Sequence, residues 1–80
     1  MTPTELAEER HRRWAPRVKA IRVALGMTQQ EFAVALSAGL SSVSAWESGR
    51  RSPSAMAQRQ IRDMCAQYGF DLHQMRRFAV

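Results

Sequence analysis

Thr28-Gln-Gln-Glu-Phe-Ala-Val-Ala-Leu-Ser-Ala-Gly-Leu-Ser-Ser-Val-Ser-Ala-Trp-Glu-Ser-Gly-Arg-Arg-Ser-Pro53 is the stretch that decides the fold. Thr28 stands three residues before Glu31, the spacing of a capping box, in which each side chain satisfies a backbone donor at a helix start. Phe32 and Leu36 follow at i, i+4 on one face, with the small Ala33 beside them. Ser37-Ala38-Gly39 interrupts this helix, and Gly39 is read as the residue that tolerates the backbone angles of a tight turn. A second helix is expected from about Leu40 to Glu47, with Val43 and Trp46 one turn apart on its buried side. Gly49 stops it. Ser52-Pro53 then reads as a new helix start, Ser as cap and Pro in the first position.

Helix, short turn, helix is the arrangement in which one helix lies in a DNA major groove while its partner braces it. Gln29, Phe32-Ala33, Leu36, Val43, Trp46-Glu47-Ser-Gly49 and Arg50-Arg51-Ser-Pro53 resemble the Cro/repressor-type helix-turn-helix family of small bacterial and phage regulators. The resemblance covers roughly residues 17 to 68. It departs from the family at two places: the family often has Gly where this chain has Ser37, and a Ser or Thr cap where it has Gly39. The resemblance implies a compact all-α, lambda-repressor-like DNA-binding domain.

Eighty residues make one domain with a modest core. Apolar residues at 45% suit a globular chain rather than a disordered one. No apolar run approaches a membrane span and the N-terminus lacks a signal-peptide core, so a cytoplasmic protein with no membrane partner is expected. The lone Cys65 has no internal disulfide partner and is read as core. A net charge of +5 and a pI near 11.1 agree with a nucleic-acid partner, although basicity alone also serves solubility.

Five to six short helices are expected along the chain. Thr2-Pro3-Thr4-Glu5 carries a helix-start signature, for a helix of about residues 3–14. Pro16 disfavours helical geometry at Ala15, and sequence leaves open whether it kinks one helix or separates two. Val18, Ile21 and Leu25 share a face up to Gly26. Helices at about 28–37, 40–48 and 53–68 come next, the last with Ile61, Met64, Cys65 and Tyr68 as an apolar stripe. Asp71 is placed to cap a short final helix of about 71–78. The core is thus expected within about 17–68, in a single domain spanning 1–80.

The second helix of the motif should present Leu40, Ser41, Ser44 and Ala45 outward. In the resembled family, the positions of Leu40, Ser41 and Ala45 face base edges, and that of Gln29 holds a phosphate near a helix N-terminus. Ser42 is a further candidate for a backbone contact, and Arg50 and Arg51 for phosphate contacts by charge. Leu40-Ser-Ser-Val-Ser-Ala45 contains no Arg, Asn or Gln, the usual readers of guanine and adenine. Modest specificity per half-site follows, with DNA shape adding to it. A close-packed Ser/Ala helix without readout is the plainer alternative.

Glu47 is read as structural, since family members usually pair it with a neighbouring Arg inside the fold. Arg10, Arg12, Arg13 and Arg17 are read as a solvated basic face, with a second DNA-contacting arm as the alternative. His11 and His73 lack metal-ligand spacing and are read as surface residues. No cofactor, metal site or catalytic grouping is expected, and so no enzyme. The expected function is a sequence-specific DNA-binding regulator, a repressor bound as a homodimer to a palindromic operator. The alternative is an antitoxin-like or protein-interaction module of the same fold, with a toxin or other protein as partner. The dimer surface is expected in the C-terminal part (Tyr68, Phe70, Leu72, Met75, Phe78), with Leu6 and Trp14 of the N-terminal helix as second candidates.

Overall fold

A computed structural model describes residues 1–69, and within them four α-helices and no strand. They are α1 (Pro3–Ala24), α2 (Gln29–Ala35), α3 (Leu40–Glu47) and α4 (Ala55–Gln67). The all-α class is as expected, while the number of helices among the described residues is lower than the five to six expected. The final helix expected at 71–78, with Asp71, Leu72, His73, Met75 and Phe78, lies outside the described residues, as does Phe70.

α1 runs unbroken through Pro16, which decides for one helix where the sequence left one or two open. Proline has no N–H to give the carbonyl of Arg12, and a proline inside a helix ordinarily costs about 3 kcal/mol. Burial on either side offsets that cost: Trp14 and Val18 flank Pro16 and both lie in the core, with Ile21 one turn further on. Thr2 caps the start of α1 by accepting the Glu5 N–H at 3.1 Å, and Pro3 occupies the first turn, where its missing donor costs nothing.

The core is one cluster drawn from all four helices: Trp14, Val18 and Ile21 of α1, Phe32 and Ala33 of α2 with Leu36, Val43 and Trp46 of α3, and Ala57, Ile61, Met64 and Cys65 of α4. Trp14 therefore belongs to the interior, at 9% exposure, and is not available as a dimer surface; Leu6 is exposed. Tyr68 departs from its expected place on the α4 stripe. It is the C-cap of that helix, after the last helical turn, and stands 55% exposed.

Two loop details also differ from expectation. The tight turn between α2 and α3 places its left-handed residue at Ser37 (φ 52°), whereas Gly39 has φ −80° and ψ 151°, which any residue adopts. The cap of α4 is Ser54, which accepts the Ala57 N–H at 3.2 Å, so Ser52-Pro53 precedes the helix rather than starting it. Ser52 is engaged elsewhere.

Candidate nucleic-acid interface

The interface is built from the start of α2 outward. Thr28 Oγ1 accepts the Glu31 N–H at 3.1 Å and Glu31 Oε1 accepts the Thr28 N–H at 2.8 Å, so the capping box read from the sequence is complete. The cap sets the direction of α2, whose Phe32 and Ala33, with Leu36 just beyond, bury one face. α3 then crosses with Val43 and Trp46 inward. Its N-cap, Gly39, supplies no side-chain hydrogen bond. The first amides of α3 are thus left without a side-chain acceptor at the positive end of the helix dipole.

An ionic clamp fixes the other end of α3. Glu47 receives a fork from Arg22, Nε to Oε2 at 2.7 Å and Nη2 to Oε1 at 3.0 Å. Arg22 also donates through Nη1 to the Met27 carbonyl at 2.9 Å, and Gln29 Nε2 donates to Glu47 Oε1 at 3.3 Å. The paired side chains are only 15% and 7% exposed. A two-point fork in so little water fixes distance and angle together. The bond from Glu47 holds the Arg22 pKa above its ordinary value, against the opposing effect of burial. One carboxylate thereby joins α1, the start of α2 and the end of α3. Glu47 is structural as expected. Arg22, its partner, was not singled out in the sequence; the signal available was a lone cation bordering the buried Ile21, within reach of an acid that needed one.

The candidate groove-facing residues divide. Leu40 and Ser41 are exposed, Ser42 and Ser44 are half-buried, and Arg50 and Arg51 are exposed just past α3. Ala45 is buried at 6% exposure, contrary to the outward position expected for it. The end of α3 closes on the carbonyl of this residue: the N–H groups of Arg50 and Arg51 both reach the Ala45 carbonyl, at 3.0 and 3.3 Å, and Ser48 Oγ donates to it at 3.1 Å. Gln29 is half-buried against Glu47, which uses one of its amide hydrogens and leaves the second. Arg50 Nε donates to Ser48 Oγ at 3.0 Å, which orients its guanidinium along the turn.

α1 borders the same turn. His11 Nδ1 and Ser52 Oγ are hydrogen-bonded at 2.6 Å, so His11 is a half-buried link and not the surface residue expected. Nothing in the sequence spacing signals a bond between residues 41 positions apart. Arg13 pairs with Glu9 at 2.8 Å on the exposed side of α1, and the Arg17 guanidinium lies 5.9 Å from the Trp14 ring centroid. Among the described residues no cluster of three metal-ligating side chains occurs, and no helix is long and apolar enough to cross a membrane.

The helix-turn-helix family model matches residues 18–57, half of the chain, from the last two turns of α1 to the first turn of α4. The chain belongs to the Cro/repressor-type helix-turn-helix family. It carries the DNA-binding domain of a regulator, and the match takes in both α2 and α3. Searches among curated proteins and among solved structures gave no match. The first two thirds of α1, residues 3–17, lie outside the family match.

Proposed function

We propose that this helix-turn-helix protein is a transcriptional repressor that binds a palindromic operator as a homodimer, with α3 in the major groove. The observation that carries the reading is the exposure of Leu40 and Ser41 at the start of a helix whose other face is anchored by Val43, Trp46 and Glu47. Such a helix offers free amides and small side chains to the groove without costing the core anything. Ser41 and Ser44 are suited to hydrogen bonds with several bases, and Leu40 to a thymine methyl. Arg51 and Arg50 supply phosphate contacts at the far end, and the remaining N–H of Gln29 one at the near end. Ser42 sits between them, half-buried. Ala45 drops out of the set because its side chain is covered.

Two copies are needed because one eight-residue helix without Arg, Asn or Gln discriminates too little among genomic sites. A two-fold axis doubles the contacts and reads half-sites about one helical turn apart. The exposed Tyr68, with the apolar residues after it, is the proposed dimer surface. Deleting residues 70–80 should then give a folded monomer with weaker operator binding.

The same α3 surface favours a second reading, a protein-interaction module, because its most prominent exposed side chain is the apolar Leu40. Fluorescence anisotropy against duplexes covering the DNA upstream of the chain's own coding region separates the two. Saturable binding that is lost in Ser41→Glu supports the repressor. Absence of binding at low salt leaves the interaction module.

A further inference from the structure

The part of α1 that precedes the family match does more than lengthen a helix. Its third turn lies against the chain just past α3. Gly49 has φ +79°, and a Cβ built on it would stand 3.9 Å from Ala15 Cβ and 4.0 Å from the Cα of Arg12. Only about one side-chain atom's width therefore separates Gly49 from this turn of α1. Three residues on, the His11–Ser52 hydrogen bond at 2.6 Å ties the same turn of α1 to the chain leading into α4. The hydrogen bond and the narrow gap at Gly49 together place residues 11–15 of α1 beside residues 49–52.

That juxtaposition places charges together. The Arg12 Cα is, after Ala15 Cβ, the α1 atom nearest to a Cβ placed on Gly49, and Arg50 and Arg51 are the next residues along the turn. All three are exposed. Arg13 is paired with Glu9, Arg22 with Glu47, and Arg17 with the Trp14 ring. Among the described residues Arg12 and Arg51 have no ion-pair partner, and Glu8, one turn before Arg12, makes none with it. Unpaired guanidinium groups gathered on a fixed backbone repel one another, and an anion with regularly spaced charges relieves that repulsion.

We propose that Arg12 and Arg51 form one cationic ridge, held in register by His11 and Ser52, and that its ligand is the sugar–phosphate backbone of double-stranded DNA flanking α3. The inference rests on the reading of α3 as a groove-binding helix. It goes beyond that reading in assigning a binding residue to the segment outside the family match. His11 is a positioning residue in it, since it touches the turn and not the DNA. Arg10 and Arg13 leave α1 on other sides of the helix, and they remain a solvated face.

The test is fluorescence anisotropy of the full chain with a labelled mixed-sequence duplex of about three helical turns, across about 50–200 mM salt. Arg12→Gln and Arg51→Gln should each lower the log–log salt slope by about 0.9, and the pair together by about 1.8. Arg13→Gln serves as control and should keep the wild-type slope. His11→Ala, with unchanged helical circular dichroism, should weaken binding less than Arg12→Gln and leave the slope near wild type. If Arg51→Gln flattens the slope while Arg12→Gln does not, the ridge is wrong and the groove reading stands. If neither arginine changes the slope, the ridge is likewise wrong; if wild-type protein binds no duplex at low salt, both readings are overturned.

Discussion

Arg22 and Glu47, on helices that sequence separates by 25 positions, meet in a two-point ion pair of 2.7 and 3.0 Å that locks the end of α3 to α1. Removing one partner strands a largely buried charge, while removing both does not. Arg22→Met alone should therefore cost about 3 kcal/mol, and Arg22→Met with Glu47→Leu should cost less than the single change. Urea unfolding of the two variants decides the matter. A double variant as unstable as the sum of the singles would show that the pair acts through packing of the individual side chains.

The α2–α3 turn is built against local preference at two positions. Ser37 holds a left-handed conformation (φ 52°) that costs a non-glycine residue about 1 kcal/mol. Gly39 occupies an N-cap with extended angles and no side chain to cap with. A Cβ there meets only Ser41 Oγ at 3.6 Å and Ser42 Oγ at 4.0 Å, both ordinary contacts. Ser37→Gly and Gly39→Ser should each stabilise the domain by about 0.5–1 kcal/mol, additively to within a few tenths. A fall in melting temperature for either would mean that the turn changes shape on substitution.

Position 45 separates burial from exposure on α3. Ala45→Glu should strongly destabilise the fold, because a carboxylate would be placed at a buried position. Ser41→Glu should leave the circular dichroism unchanged and prevent groove binding, since its side chain faces solvent. Trp46→Ala should destabilise by about 3–5 kcal/mol, the usual cost of emptying an aromatic core site. An Ala45→Glu protein as stable as wild type would contradict the burial of position 45.

These positions also mark where the sequence could be read and where it could not. The capping box at Thr28 and Glu31, the buried Phe32, Leu36, Val43 and Trp46, and the structural Glu47 all follow from local spacing, which is the signal a single chain carries. The burial of Ala45 is not legible, because it borders the Val43–Trp46 face and helical phase alone does not say how wide the buried face is. Ser52 failed as a cap because two serines lie within reach of the same helix start, and the bond to His11 decides between them. Pro16 lies inside α1 because the core on both sides outweighs its local cost, a balance set by tertiary packing. Arg22 and His11 act across long separations that no periodicity encodes. Cys65 is buried as expected, and burial raises its thiol pKa, so slow modification of the native protein by a thiol reagent should speed up on unfolding.

Glu31 gives a pH signature. The Thr28 backbone N–H, and secondarily its hydroxyl, hold the Glu31 carboxyl below its ordinary value of 4.5. A carboxylate whose folded pKa is depressed stabilises fully above its unfolded pKa, and the contribution is lost as pH falls through the folded value. The melting-temperature gap between wild type and Glu31→Gln should thus be largest near neutrality and close below about pH 4.5. A gap independent of pH would mean that the carboxylate charge plays no part in the cap.

The most direct test of repressor function is selection from a pool of random duplexes, followed by titration of the enriched sequence and a scrambled control at the same salt. The expected result is a two-fold symmetric sequence with half-sites about one helical turn apart, bound at least about a thousandfold more tightly than the control. Enrichment should fail with Ser41→Glu. A pool that returns no common sequence, with wild-type protein binding enriched and scrambled duplexes equally, would contradict sequence-specific repression by this helix-turn-helix.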